Sequence, residues 1–132
     1  RRALKPNGLF CAWCYSLLEI SAAVDAIIHR LYYETLAGCW PAGRSSVDAG
    51  YRDIQPPFPR IEPPPFALEA HWDLRELMGY LRTWSAVKQW QQRHGRDPIT
   101  SIEPQLTSAW GQAGQRRLIR WPLHFLTGFP NR

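Results

Sequence analysis

The sequence lacks several features that would point directly to a function. No uninterrupted apolar run reaches the roughly 20 residues of a membrane-spanning helix, and no charged-then-apolar signal segment opens the chain. The sequence therefore favours a soluble cytoplasmic protein with no membrane partner. The chain also begins at Arg1 rather than at a methionine. We therefore expect it to be a processed or fragmentary piece of something longer.

Cysteine and histidine are too scattered to predict a metal or redox centre. Only Cys11 and Cys14 stand in a C-x-x-C spacing, and Cys39 is distant from both. On a strand, residues three apart point to opposite faces, and no second cysteine pair or close histidine pair completes a site. We therefore predict no metal, and we interpret the three cysteines as small buried apolar residues.

Basic residues are abundant but form no cluster. The chain has 16 Lys and Arg against 11 Asp and Glu, a net charge of +5, and seven tryptophans. This composition leaves open a non-catalytic basic and aromatic module that binds single-stranded nucleic acid by stacking, with salt-dependent binding as its signature. No more than two basic residues are adjacent, however, and acids lie between them, which favours an ordinary solvated surface.

The chain opens with a predicted turn and strand. Leu4 and Lys5 would close a helical end, Pro6 cannot continue it, and Asn7-Gly8 tolerate the positive φ of a turn. Residues 9–15 then run almost continuously apolar, which is typical of a strand covered on both faces in an α/β sheet. Such a strand needs neighbours on both sides, yet nothing upstream of it supplies the earlier one.

Helical and proline-rich patterns follow. The Ser16 to Glu19 spacing matches a capping box and predicts a helix from there to a stop at Gly38. Residues 39–65, which we call the flap, contain so many prolines that we expect an ordered excursion. We predict one short helical turn in it, over 47–54.

The remaining patterns predict two more strands with helices between them. Residues 66–72 alternate as a strand does, and Asp73 with Glu76 predicts a capping box. A break near Thr83-Trp84 and a cap at Ser85 divide the next helical region in two.

The C-terminal part predicts one more helix and one strand. Asp97-Pro98 opens a helix that Pro104 would bend or split. Residues 117–126 alternate as a strand, in which Pro122 would require a bulge.

Two motifs resemble a known family. LKPNG at 4–8, before an apolar strand, resembles the turn that precedes the fifth strand of class I S-adenosylmethionine-dependent methyltransferases. GYLRTWSA at 79–86 is similar to the C-terminal half of the group that includes the fungal trans-aconitate methyltransferases. This second resemblance extends to Gly50-Tyr51, Pro57-Phe58, Trp72 and Trp121-Pro122-Leu123. It covers nearly the whole chain, but the acidic-Gly-x-Gly-x-Gly loop that holds the family's cofactor is absent.

The resemblance implies an α/β fold: the C-terminal part of a Rossmann-like class I sheet, with three strands, covering helices, and an antiparallel last strand inserted between the other two. Residues 1–132 would be the substrate-side half of the methyltransferase domain, whose parent enzyme methylates a small molecule. S-adenosylmethionine would be bound mainly by the missing N-terminal half. We therefore expect no cofactor-binding residue here, an inactive fragment, and either that half or a second copy as the partner of the first strand.

The resemblance and the sheet geometry together suggest an acceptor site without assigning a catalytic residue. Ligands of open α/β sheets bind at the carboxyl ends of parallel strands. Arg82 is the leading candidate, because a guanidinium grips a carboxylate and the resembled trans-aconitate enzymes act on carboxylates. Two alternatives stay open: Arg82 could cap its helix or pair with an acid such as Glu76, and Trp84 could pack in the core. The substrate-binding candidates are Trp13, Tyr15, Tyr51, Tyr80, Arg82 and Trp84.

Overall fold

The computed structural model describes residues 2–131 and has an α/β architecture, as predicted. Over these residues it contains three strands, five α-helices and one π-helical segment. In chain order they are β1 (Phe10–Tyr15), α1 (Ala22–Arg30), the π-helical segment (Leu31–Thr35), α2 (Arg44–Asp48), β2 (Ala67–Trp72), α3 (Leu74–Thr83), α4 (Ser85–His94), α5 (Pro98–Trp110) and β3 (Arg117–Gly128).

The three strands form one sheet in the order β1-β3-β2. β1 and β3 run antiparallel, with Phe10 opposite Gly128 at one end of the ladder and Tyr15 opposite Leu123 at the other. The prediction that the last strand is antiparallel and inserted between the other two is confirmed. β3 also continues through Pro122, whose carbonyl accepts a hydrogen bond from the Ser16 N–H at 3.0 Å.

The chain divides into two compact units, which we describe separately. The strand unit comprises residues 2–17, 43–68 and 121–131, and the helical unit comprises 18–42 and 69–120. No helix within 2–131 is both long and apolar enough to cross a membrane.

The helical unit has a largely aliphatic core that also contains the buried aromatic residues Tyr32, Trp90 and Trp110. α5 packs against α1, α3 and α4, because each of these helices presents apolar residues at helical spacing. Trp110 is fully buried, and its indole Nε1 donates to the Gln115 carbonyl at 2.9 Å. The other residues with no more than 1 % of their surface exposed in these helices are Val24, Ile28, Leu77, Leu81, Ala86, Val87, Ile99 and Leu106.

Two helix starts are confirmed in detail. The Asp73 carboxylate accepts the Glu76 N–H at 2.9 Å, and the Glu76 carboxylate accepts the Asp73 N–H at 2.8 Å, which completes the predicted capping box. Asp97 caps α5, with Pro98 at the first helical position. α5 then continues through Pro104 to Trp110, so the helix is not split.

The predicted helix start at Ser16 is wrong. α1 begins at Ala22, where the Ser21 hydroxyl accepts the Val24 N–H at 3.4 Å. Glu19 instead exchanges two backbone hydrogen bonds with Arg120, at 2.8 and 3.0 Å. These backbone groups are therefore satisfied by sheet-like pairing, and a helix there would have to give that pairing up.

Smaller differences occur at other boundaries. Residues 2–8 form turns rather than a helical end, although Asn7 adopts the expected positive φ of 60°. The flap helix lies at Arg44–Asp48, earlier than predicted. The break before α4 is present, but Trp84 occupies the cap position and Ser85 is already helical.

Candidate functional site

β1 presents two different faces within the strand unit. Phe10 packs on Phe58 of the flap with ring centroids 5.5 Å apart, and the Cys14 Sγ lies 3.8 Å from the Val47 carbonyl. On the opposite face Trp13 is 53 % exposed and Tyr15 is 37 % exposed. The expected cover on both faces is therefore absent from the described part of the chain. Two site candidates lie on this open face.

The three cysteines differ in their exposure to solvent. Cys14 and Cys39 are buried, as predicted, whereas Cys11 is exposed. The prediction of burial is wrong for Cys11 because it shares the open face of β1 with its alternate neighbours. Residues 2–131 contain no group of three or more His, Cys, Asp or Glu side chains that could hold a metal ion.

Tyr51 is held in an unusual backbone conformation beside Cys14. Its φ is +60°, its N–H donates to the Ser46 carbonyl at 2.8 Å, and its own carbonyl accepts Arg60 Nη2 at 2.6 Å. A non-glycine residue with positive φ costs free energy and persists only where surrounding contacts enforce it. The flap therefore fixes the Tyr51 side chain against β1.

The Tyr51 hydroxyl is also hydrogen-bonded to the Cys14 thiol, and each group changes the pKa of the other. Burial raises the pKa of the Cys14 thiol, and the hydrogen bond from Tyr51 and the nearby Arg44 offset only part of that rise. Burial and the neighbouring sulfur likewise raise the pKa of the Tyr51 hydroxyl. Cys14 is consequently a protonated thiol at neutral pH rather than a nucleophilic thiolate.

The flap and β3 enclose a cleft of 410 Å³ in the strand unit, which we call the flap cleft. Gly50, at φ +59°, and His124 both line the cleft, and Gly50 lies directly against the His124 ring. Its remaining lining residues are Arg52, Arg60, Glu62, Pro63, Pro64, Pro65, Leu123 and Phe125. No motif in the sequence predicts the cleft, and the only local signal for it is the density of prolines around Arg60.

The candidates at the α3–α4 junction lie in the helical unit, where two of them join an aromatic cluster. Tyr80 and Trp84 meet edge to face, with centroids 5.9 Å apart. Trp84 also contacts Tyr32 at 5.7 Å and Trp40 at 5.5 Å, and Tyr80 contacts Trp72 at 5.3 Å. Rings packed against one another in this way favour the core-packing alternative for Trp84.

Arg82 forms an ion pair within the chain, so its guanidinium is already partly engaged. Its Nε donates to the Asp97 carboxylate at 2.7 Å, and both residues belong to the helical unit. Glu76 pairs with Arg116 at 3.1 Å, so the acid partner of Arg82 differs from the one expected. The contact ties the end of α3 to the cap of α5.

Asp97 combines three stabilising contacts in one carboxylate. Burial acts to raise its pKa, but hydrogen bonds from Arg82, the Ile99 N–H and the Thr100 hydroxyl outweigh burial and lower the pKa. A carboxyl whose folded pKa lies below its unfolded value stabilises the fold at neutral pH. That contribution is lost as the pH falls through the folded pKa.

Asp97→Ala is expected to cost about 1–2 kcal/mol of unfolding free energy at pH 7, because the helix cap and the ion pair are both lost. Asp97→Asn keeps a capping oxygen and should cost less. Urea unfolding at neutral pH and at about pH 2.5 measures this, and the Ala penalty should shrink at the lower pH. An equal penalty at both pH values would contradict the role of the ionised carboxylate.

The described residues do not form a cradle for a nucleotide cofactor. Such cradles use a glycine-rich turn between a parallel strand and the N-terminus of the next helix. Here β1 pairs with an antiparallel neighbour, and residues 16–21 between β1 and α1 contain no glycine. Residues 2–131 therefore contain no glycine-rich strand-to-helix turn of this kind at β1.

No protein-family model matches the sequence. The chain is 28 % identical over 123 residues to a Dictyostelium discoideum protein named "putative methyltransferase", with 90 % of this chain and 47 % of that protein covered. It also superposes on a solved structure from Anaeromyxobacter dehalogenans, titled a "putative type II methyltransferase". That match has a TM-score of 0.92 and 39 % identity, over 98 % of this chain and 55 % of the other.

This chain has the fold of the matched part of that methyltransferase structure. The agreement extends over nearly every residue here, including the three-stranded sheet with its inserted last strand. The chain spans about half the length of the relatives that it matches.

Proposed function

We propose that this chain is the substrate-side part of an S-adenosylmethionine-dependent methyltransferase that acts on a small molecule. The observation that carries the proposal is the superposition, at 39 % identity and a TM-score of 0.92, on the Anaeromyxobacter dehalogenans protein described as a "putative type II methyltransferase". Methyl transfer needs the attacking atom aligned with the methyl donor more than it needs a covalent residue. A pocket of aromatic walls with a few polar anchors is therefore sufficient.

The cofactor is proposed to lie mainly against sequence outside these 132 residues. This proposed location of the cofactor is consistent with residues 2–131, which contain no glycine-rich turn between β1 and α1. Membership in the trans-aconitate group and a carboxylate acceptor are part of the same proposal. They are supported by the GYLRTWSA stretch at 79–86, which includes the α3–α4 junction.

Cofactor binding tests the proposal directly. We expect S-adenosylhomocysteine to raise the melting temperature of the full-length natural protein by several degrees, and to leave residues 1–132 alone unchanged. The measurement is a thermal shift with each sample at matched concentration, beside a radiolabelled methyl-transfer assay. No shift in the full-length protein would contradict the proposed function, and a strong shift with this chain alone would contradict the proposed location of the cofactor site.

For the acceptor we propose contacts from the exposed Trp13 and Tyr15 of β1 and from the fixed Tyr51 of the flap. Trp13 and Tyr15 lie near the carboxyl end of β1, where ligands of open α/β sheets bind. Tyr80 and Trp84, which belong to the helical unit, stay separate proposed candidates for acceptor contact. The Asp97 ion pair favours a bracing role for Arg82 over the grip on a carboxylate.

Arg82→Lys separates the two roles of Arg82. If Arg82 is a brace, the variant should lose up to about 1 kcal/mol of stability, because the pair is partly exposed, and keep its methyl-transfer kinetics. The experiment compares kcat, KM for a carboxylate acceptor, and urea unfolding of the full-length protein, with Arg75→Lys as control. A rise in KM for the acceptor without a change in stability would restore Arg82 as the anchor of the substrate.

The outer edge of β1 is the proposed partner site. β1 lies at the end of the strand order, and Leu9, Trp13 and Tyr15 are exposed beside it. An apolar unpaired edge promotes strand pairing with another chain. Residues 1–132 in isolation are therefore expected to dimerise, or to associate with a separately expressed N-terminal part. Multi-angle light scattering measures this, and a monodisperse monomer would contradict it.

A further inference from the structure

The flap cleft contains charged side chains that are not paired with one another. Outside it, Arg44, Arg82, Arg116 and Arg120 each form an ion pair with an acid. Within the cleft, Arg52, Arg60 and Glu62 line one cavity, and none of them forms an ion pair with any residue in 2–131. The charges of this cleft are therefore left for a ligand or for solvent.

Arg60 is held in place by the backbone of the flap. Its Nη2 donates both to the Tyr51 carbonyl at 2.6 Å and to the Ile54 carbonyl at 2.5 Å. Its Nε and Nη1 have no hydrogen-bond partner within the described chain. A guanidinium fixed through one nitrogen loses little further freedom when the others bind a ligand.

Arg52 offers a second guanidinium at the same cleft. Its Nε donates to the Ala49 carbonyl at 3.0 Å, which leaves both terminal nitrogens without a partner in the part of the chain that the structure describes. A guanidinium presents paired N–H donors that match the two oxygens of a carboxylate or a phosphate. Two arginines against one glutamate give the cleft a net positive charge.

The walls of the cleft are rigid and of suitable size. Pro63, Pro64 and Pro65 have fixed φ angles, and the Ile61 N–H donates to the Thr127 carbonyl of β3 at 2.9 Å. A volume of 410 Å³ falls within the range of about 300–1,000 Å³ that is usual for small-molecule sites.

We propose that the flap cleft binds the oxyanion group of a small molecule, a carboxylate or a phosphate, through Arg52 and Arg60. Glu62 lowers the net positive charge of the cleft and so weakens this binding electrostatically. The binding itself does not depend on methyl transfer. Only the further step, that the bound anion is the methyl acceptor, rests on the proposed function.

Isothermal titration of the full-length protein without cofactor tests the site, with citrate and inorganic phosphate as the two probes. We expect saturable binding of at least one probe, and no binding of triethyl citrate, which keeps the size and removes the charges. Citrate alone would identify a carboxylate site, and phosphate alone a phosphate site. If neither probe binds, the proposal is overturned.

Three variants that each remove one charge should change the affinity for the anion in different directions. Arg52→Gln should weaken binding on the order of fivefold, because one partly exposed charge-assisted contact is lost. Glu62→Gln should strengthen binding by about two- to fivefold, because a like charge is removed. Arg75→Gln, an exposed residue of α3 that alters net charge by the same amount as Arg52→Gln, should change nothing.

Comparison of the two arginine variants also tests whether the anion is attracted only by the net charge of the protein. If Arg52→Gln and Arg75→Gln weaken binding equally, the attraction is only net charge and the proposal fails. Melting temperatures are measured for each variant, because a folded Arg52→Gln protein with unchanged affinity also overturns the site. If the anion binds but no methyl transfer is detected, the proposed function is contradicted and the proposed anion site is retained.

Discussion

Trp110→Ala is expected to lower the unfolding free energy of the protein by about 3–5 kcal/mol, the usual cost of removing a fully buried aromatic side chain. None of the Trp110 surface is exposed, and its position at the end of α5 brings it into the core of the helical unit. The variant also leaves the Gln115 carbonyl without the indole N–H that it accepts at 2.9 Å. A marginally stable domain would lose much of its stability from this single change.

Two further variants distinguish the contribution of burial from that of the indole hydrogen bond. Trp110→Phe retains much of the apolar contact and loses the N–H, so its cost should be smaller than that of Ala. Tyr33→Ala removes a large aromatic from the same unit at a residue that is 55 % exposed, and it should cost less than about 1 kcal/mol. Urea unfolding followed by far-ultraviolet circular dichroism measures all three. Equal costs for Trp110→Ala and Tyr33→Ala would contradict the assignment of the core.

Features that depend on neighbouring residues were predictable from the sequence. The Asp73–Glu76 capping box needs only two side chains and two backbone N–H groups within four residues. Asp97-Pro98 specifies the start of α5 in the same way. The Ser16–Glu19 spacing carries the same local signal and failed, because Glu19 pairs with Arg120, which is far away in sequence. Local chemistry decides a helix start only where no distant strand competes for the backbone.

The candidate site shows the same limit. Tyr51 and Trp13 could be selected as aromatic residues near a strand end or in the flap, but their surroundings could not. The flap cleft combines residues around 50–65 with His124, and no pattern in the sequence brings these positions together. Arg82 looked available for a ligand because Asp97, its partner, lies fifteen residues further along the chain.

Gly50→Ala is expected to cost about 2–4 kcal/mol and to disturb the flap cleft. Part of the cost, about 1–2 kcal/mol, arises because φ is +59° and an L-residue is strained there. The rest arises because the new Cβ would lie 2.8 Å from His124 Cγ, closer than real Cβ contacts come. His124 must then move, and citrate or phosphate binding to the cleft should weaken together with stability.

Gly43→Ala is the matched control for Gly50→Ala. Gly43 also has a positive φ, of +86°, but a Cβ there would meet no atom within 4 Å. It should therefore show the backbone cost alone and leave the cleft unchanged. Adding His124→Ala to Gly50→Ala removes the clashing ring, so the double variant should be more stable than the sum of the two single effects predicts. Strictly additive effects would show that contact with His124 is not why position 50 requires glycine.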